Sequence, residues 1–231
     1  MDEALRRELL EMRKSQLDAR RAGSSGAVRE IDRRNVERLK AIIAEHGWPG
    51  RSLVGEDGSF AAWWIAQHAS FDRPFQALCL ERLKEAVAAN EAEMRLYAYL
   101  EDAVRVGGGE PQRFGTQFRY ESDYQVVVEP LEDPDAVDAR RQEAGLEPLR
   151  QYLSSALAGR FARRVLGGAD TEIALHETSP TLTRATMRQG PVATELEIEW
   201  DDRHKWCRLQ RTAPVRAVTR GPSSLGSRGL P

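Results

Sequence analysis

Up to the triple glycine at Gly107–Gly109, apolar residues recur every three or four positions; beyond it the pattern turns to alternation and to β-branched and aromatic residues. That change of period divides the chain into an α-rich first part and a mixed second part. Leu5, Leu9 and Met12 share one side of a first helix, with Leu10 and Leu17 a heptad apart, and "AGSSG" at Ala22–Gly26 interrupts it. Val28, Ile31, Val36, Leu39, Ile42 and Ile43 outline a second helix, which "EHGWPG" ends with Gly47 as a left-handed cap and Pro49 behind it. The spacing then predicts a loop over "RSLVGEDG", a helix capped by Ser59 that runs to about Ser70, and another from Asp72 and Pro74 through Asn90. Leu96, Tyr97, Leu100 and Val104 mark a further helix that the glycines stop.

Past the glycines, "FGTQFRYESDYQVVVEPL" predicts an extended arm near Gln117–Val128, and Pro134–Gly145 and Glu147–Leu166 return to helix. From Thr181 to Thr212 polar and apolar residues alternate, with "RQGP" and "DDRH" at turn positions, which predicts a three-stranded meander with an earlier strand at "TEIALH". The expected fold is mainly α, packed antiparallel helices with an extended arm and a small C-terminal antiparallel β meander, an α+β chain. It divides into an amphipathic N-terminal helix and linker (1–26), a helical domain (27–166), a β-rich segment (167–212) and a disordered Pro, Gly and Ser-rich tail (213–231).

The 231 residues carry a net charge of −2 and are 41% hydrophobic, enough for a sizeable core and no global field toward nucleic acid or an anionic membrane. Two cysteines, Cys79 and Cys207, cannot build a disulfide framework, and the first residues lack an apolar leader, so a reducing cytoplasm is expected. No stretch approaches the length of a membrane helix. One local bias exists: Arg203–Pro231 holds seven Lys or Arg and no acid, beside Trp200 and Trp206. A solvated tail explains it more simply than single-stranded nucleic acid binding.

In "AAWWIAQHASFD" a glutamine and a histidine, Gln67 and His68, interrupt an apolar helix. A buried amide or imidazole without a partner costs roughly 1–3 kcal/mol, so each must find one. Either they are satisfied inside the core, or His68 lines a pocket with Asp72 fixing its tautomer and Gln76, Gln112 and Gln117 supplying amides. His46, at a helix C-terminus, reads as a cap or as solvent-exposed; no HxxxH, HExxH or CxxC spacing points to a metal. "GGGEPQRFGTQF" has neither phosphate-loop order, no GxSxG elbow exists, and no cofactor is expected.

"EHGWPG", "SLVGEDGSFAAWWIAQHA", "DRPFQALCLERLKEA", "LYAYLEDAV", "PQRFGTQF" and "PLEDPDAVDARRQEAGLEPLRQYL", in that order, resemble a bacterial family known as domain of unknown function 6624. The likeness runs from about Val36 to Leu153 and leaves out the N-terminal helix and the β-rich segment. The resemblance implies fold kinship without a reaction. Its motifs fall on His46, Trp48, Pro49, Gln67, His68, Asp72, Gln76, Gln112, Gly115, Thr116 and Gln117, with Ser70 where the motif commonly carries an acid.

Polar motif residues from separate segments lead to the expectation of a polar small-molecule pocket, with His68 and Asp72 as catalytic candidates and His46, Gln67, Gln76, Gln112, Thr116 and Gln117 as ligand contacts, in a hydrolase or transferase. The rival is an interaction protein that binds a protein partner through its N-terminal helix or its β segment, with the Gln/His cluster specifying the core. A concave pocket lined by His68, Gln112 and Gln117 would favour the first, and a fully paired cluster the second.

Overall fold

A computed structural model describes residues 1–165, 171–189 and 192–215. Among these residues lie seven helices and a six-stranded sheet, the expected α+β mixture. The chain separates into two compact units, one of residues Met1–Arg119 with Val128–Leu149, the other of Tyr120–Val127 with Arg150 onward.

The first unit is helical. Helix α1 (Glu3–Arg21) is capped by Asp2, whose carboxylate accepts from the N–H groups of Ala4 and Leu5, and buries Leu5, Leu9, Met12, Gln16 and Ala19. Helix α2 (Ser25–His46) ends at Gly47, whose φ of 72° lies in the left-handed region that an L side chain resists. Helix α3 (Arg51–Gln67) starts earlier than the sequence suggests. "RSLVGEDG" is a helical turn, closed by Leu53 and Val54 N–H on the Gly50 carbonyl, and Gly55 at φ 73° kinks it into the longer segment. Burial of Val54 outweighs the low helix propensity of the two glycines. Ser59 therefore sits inside α3 and is not its cap.

Helix α4 (Arg73–Ala88) has Asp72 as cap and Pro74 in its first turn, and α5 (Met94–Gly107) ends at the triple glycine. Leu9, Leu39, Ile42, Ile65, Leu83 and Leu100 are among the fully buried side chains of the core, and the Trp63 indole N–H closes it by donating to the Leu96 carbonyl at 2.8 Å. The bidentate pairs Arg6–Asp57 and Arg38–Glu8 tie α1 to α3 and α2. Helix α6 (Val137–Glu143) is shorter than the expected Pro134–Gly145.

In the second unit, strands β1 (Phe118–Ser122) and β2 (Gln125–Val128) join β3 (Glu172–Ser179), β4 (Leu182–Gln189), β5 (Val192–Asp201) and β6 (Trp206–Val215) in the order β1-β2-β6-β5-β4-β3. The arm expected near Gln117–Val128 is thus two strands of a sheet, with Val126 opposite Cys207. The meander and the strand at "TEIALH" are present, and the sheet's last strand runs to Val215, into the stretch read as tail; residues 216–231 lie outside the described residues. Helix α7 (Leu149–Val165) meets the odd-numbered face of β4: the Arg150 guanidinium donates to Thr183 Oγ1 at 3.1 Å and to the Leu182 carbonyl at 2.6 Å. Tyr120 Oη donates to the Ala156 carbonyl and Arg160 pairs with Asp123 at 2.8 Å.

Candidate functional site

The eight polar residues singled out from the sequence fall into separate settings. His68 ends α3, half-buried, and its Nδ1 lies 2.8 Å from the Trp64 carbonyl. A carbonyl only accepts, so Nδ1 carries the proton and Nε2 is left as the acceptor. The ring packs on the Trp64 indole at 4.4 Å between centroids. Burial pushes its pKa down, against a smaller upward pull from the bond to Trp64, which keeps the imidazole neutral at pH 7. Arg20 and Asp32, from α1 and α2, are the charges that act on it. They form a bidentate pair, which the buried Gln16 joins by donating to Asp32 at 2.7 Å.

Asp72 is turned to other work. It accepts from the Phe75 N–H as cap of α4 and pairs with the Lys40 ammonium at 2.7 Å, which holds its carboxyl below the usual carboxylate range. Its described bonds do not reach His68. Gln76 is buried, and its amide nitrogen donates to the Ala66 and Gln67 carbonyls at 3.1 and 3.2 Å, sealing the C-terminus of α3 alongside the Ala69 N–H, which the Ala66 carbonyl also accepts at 3.1 Å. Gln67 offers its backbone to this bond, while its side-chain oxygen is buried with no described partner. His46 stands exposed at the end of α2, 3.5 Å from Glu45.

Gln112, Thr116 and Gln117 do come together, in a loop that holds itself. The Gln112 amide donates to the Gln117 and Glu129 carbonyls, both at 2.8 Å, and its oxygen accepts from Gln117 N–H at 2.9 Å. Gln117 in turn donates to Thr116 Oγ1 at 3.1 Å. Beneath them lies a residue that sequence reasoning missed: Asp102, fully buried, whose carboxylate accepts from the N–H groups of Arg113, Phe114 and Thr116 and from Thr116 Oγ1 at 2.8–3.2 Å. The fully buried Arg141 holds the same loop by the Phe114 carbonyl, to which it donates at 2.7 Å, and joins it to the segment before α7 by donating to the Glu147 carbonyl at 2.6 Å. A charged residue inside an amphipathic helix reads as solvent-facing, so neither gave a signal in the sequence.

The loop needs Gly115 itself. At φ 68° it takes a left-handed turn, and a Cβ there would stand 2.9 Å from Leu149 Cδ1. Five of the better-formed surface hollows are lined by other residues; the largest, about 700 Å³, lies between Asn90–Arg95 and Glu143–Gly145. Among the described residues no group of three His, Cys, Asp or Glu is placed to hold a metal, and no helix is long and apolar enough to cross a membrane.

These features define an α+β protein whose helical unit uses its buried polar residues to fasten a loop and close helix ends. The chain belongs to a family of unknown function, DUF6624, whose model matches residues 1–161. The match takes in α1, which the motif likeness over Val36–Leu153 left out, in keeping with the packing of α1 inside the helical unit. No curated protein and no solved structure matches the chain.

Proposed function

We propose that this chain is a cytoplasmic, non-enzymatic protein-interaction module, in which the Gln/His cluster of the family motif serves the fold. The observation that carries this reading is Gln112: its side chain bonds to backbone alone, to the Gln117 N–H and carbonyl of its own loop and to the Glu129 carbonyl just past β2. Gln76, Thr116 and Asp72 are likewise committed to helix ends, Asp102 and Lys40. Helix α1, the first of the two surfaces considered for a partner, spends its apolar side on α2 and α3. The β-rich segment is the surface that remains. Buried free thiols at Cys79 and Cys207 suit a reducing compartment.

The polar-pocket reading keeps one supporting observation. His68 has a neutral ring with Nε2 as acceptor, and near it Trp64 Nε1, Arg13 Nε and Gln16 Oε1 are buried without described partners. Arg13 lies over the Trp64 ring at 5.6 Å, so a small polar ligand wedged between α1 and α3 would meet all of them. Thermal shift of the wild-type protein and of His68→Ala against a panel of polar metabolites separates the two readings. A ligand present at about 100 times its Kd adds about 2.7 kcal/mol. The interaction reading expects no compound that stabilises wild type and not His68→Ala; one such compound would overturn it in favour of the pocket.

A further inference from the structure

The strand β3 ends the sheet: it pairs with β4 on one side, and among the described residues no strand pairs with its other side. Eight residues of edge carry a row of backbone N–H and C=O groups ready for another strand. Of the usual protections the edge has two glutamates, Glu172 and Glu177, and lacks others. It has no proline and no lysine, and its irregularity lies at the far end, between Glu177 and Ser179. On the face shared with Met187 and Ala185, β3 places Ile173 and Leu175, and Ile173 is 37% exposed. A hollow of about 350 Å³ runs beside the strand, lined by Glu172, Ile173, Ala174, His176, Thr186 and Arg188.

We propose that two copies of this chain associate through β3, antiparallel edge to edge about a two-fold axis at Ala174. This rests on the interaction-module reading and names its partner. The choice of occupant comes from the strand itself. Opposed residues of an antiparallel pair must point to the same face, so a symmetric pairing can be centred only on a residue. Centring on Leu175 would set Ile173 against Glu177, and centring on His176 would set the two imidazoles together and Leu175 against Glu177. Centring on Ala174 sets Ala174 against itself, Ile173 against Leu175 of the other copy, and Glu172 against His176 of the other copy, each twice by symmetry.

That register also continues the rows already present in the sheet. Met187 and Ile173 would be followed across the axis by Leu175 and Ala185, an unbroken apolar row over four strands. On the opposite face, Glu172 would lie between Arg188 of its own chain and His176 of the other. The small side chain at the axis lets the two backbones approach to ladder distance without a clash.

Two experiments on the full chain test this. Ala174→Cys places two thiols opposite one another at a distance a disulfide spans, whereas two Thr178→Cys thiols would lie eight residues apart along the ladder, roughly 27 Å. The native cysteines are buried and do not interfere. Mild oxidation is expected to give a covalent dimer with Ala174→Cys and not with Thr178→Cys. In sedimentation velocity the wild type is expected to dimerise. His176→Glu, which gains Arg184 as a cross-strand partner within its own sheet, should nonetheless weaken the dimer roughly threefold to thirtyfold by opposing Glu172. Adding Glu172→Lys to His176→Glu restores a charge pair and should recover it. A wild type that stays monomeric at high micromolar concentration, equal cross-linking through Thr178→Cys, or no rescue by the double variant overturns the proposal. Such a result leaves the assignment of the Gln/His cluster standing, because that is tested within the helical unit.

Discussion

Replacing Asp102 with alanine should release the loop that carries the "RFGTQF" motif. The carboxylate accepts from three backbone N–H groups and one hydroxyl, and it is fully buried, so water cannot take its place without the unit opening. Each bond to a charged acceptor contributes about 1.5–3 kcal/mol, and stripping one side of a buried charged network costs about 3–5 kcal/mol. Because these contributions are not additive, the lower figure is the better guide to the whole, about 3–5 kcal/mol. Asp102→Asn keeps one oxygen, and since the two oxygens share the load, it should lose about half of this. The local assay is hydrogen exchange at the amides of Arg113, Phe114 and Thr116, where every 1.4 kcal/mol is a tenfold change in protection. The expected order is wild type, then Asn, then Ala, spanning about two to three and a half decades on that conversion. Unchanged protection in Asp102→Ala would refute the idea that this side chain holds the loop.

Three further outcomes follow from the same geometry. Gly115→Ala should destabilise the helical unit by about 2–4 kcal/mol in urea unfolding, from left-handed strain plus the 2.9 Å approach to Leu149, and a neutral effect would contradict it. His68 titrates lower in the fold than in the unfolded chain, so stability is full above about pH 6.5 and falls as the pH drops below it, because the unfolded chain takes up the proton first. His68→Gln should flatten that part of a melting-temperature-against-pH curve, whereas an unchanged slope would assign the effect to other groups. Burial pushes both thiols up to about 12, so Cys79 and Cys207 should resist a disulfide reagent in the native protein and react together in denaturant.

Much of the fold was legible because period and capping residues announce it. Gly47, Asp72 with Pro74, and the triple glycine mark helix ends where they were expected. The miss at "RSLVGEDG" came from reading two glycines as a loop when Val54 is buried and a single left-handed residue lets the helix continue past a kink. The arm at Gln117–Val128 looked free because its partner strand, β6, lies some eighty residues further on, and long-range pairing leaves no local signature.

Gln67 and His68 were legible as largely removed from water, but what satisfies them was not. Gln112 and Gln117 are five residues apart and bond each other across a glycine turn, and Gln76 reaches back to the end of α3. Asp102 and Arg141 went unread because, apart from the Thr116 hydroxyl on Asp102, the partners described for them are backbone groups, which every sequence supplies and none advertises. His68 was read as paired with Asp72 one turn on; α3 ends at Gln67, so helical spacing no longer applies between them.

Whether Gln112 and its neighbours serve the fold is read most directly from the unfolding free energy of Gln112→Met, near in shape but unable to make the amide's bonds. The Glu129 carbonyl and the Gln117 N–H would lose the partner that Gln112 gives them, while the Gln117 carbonyl would keep the Glu129 N–H, so a loss of about 2–4 kcal/mol is expected, with faster exchange at the Gln117 amide. A variant as stable as wild type would contradict it and return the side chain to the service of a ligand.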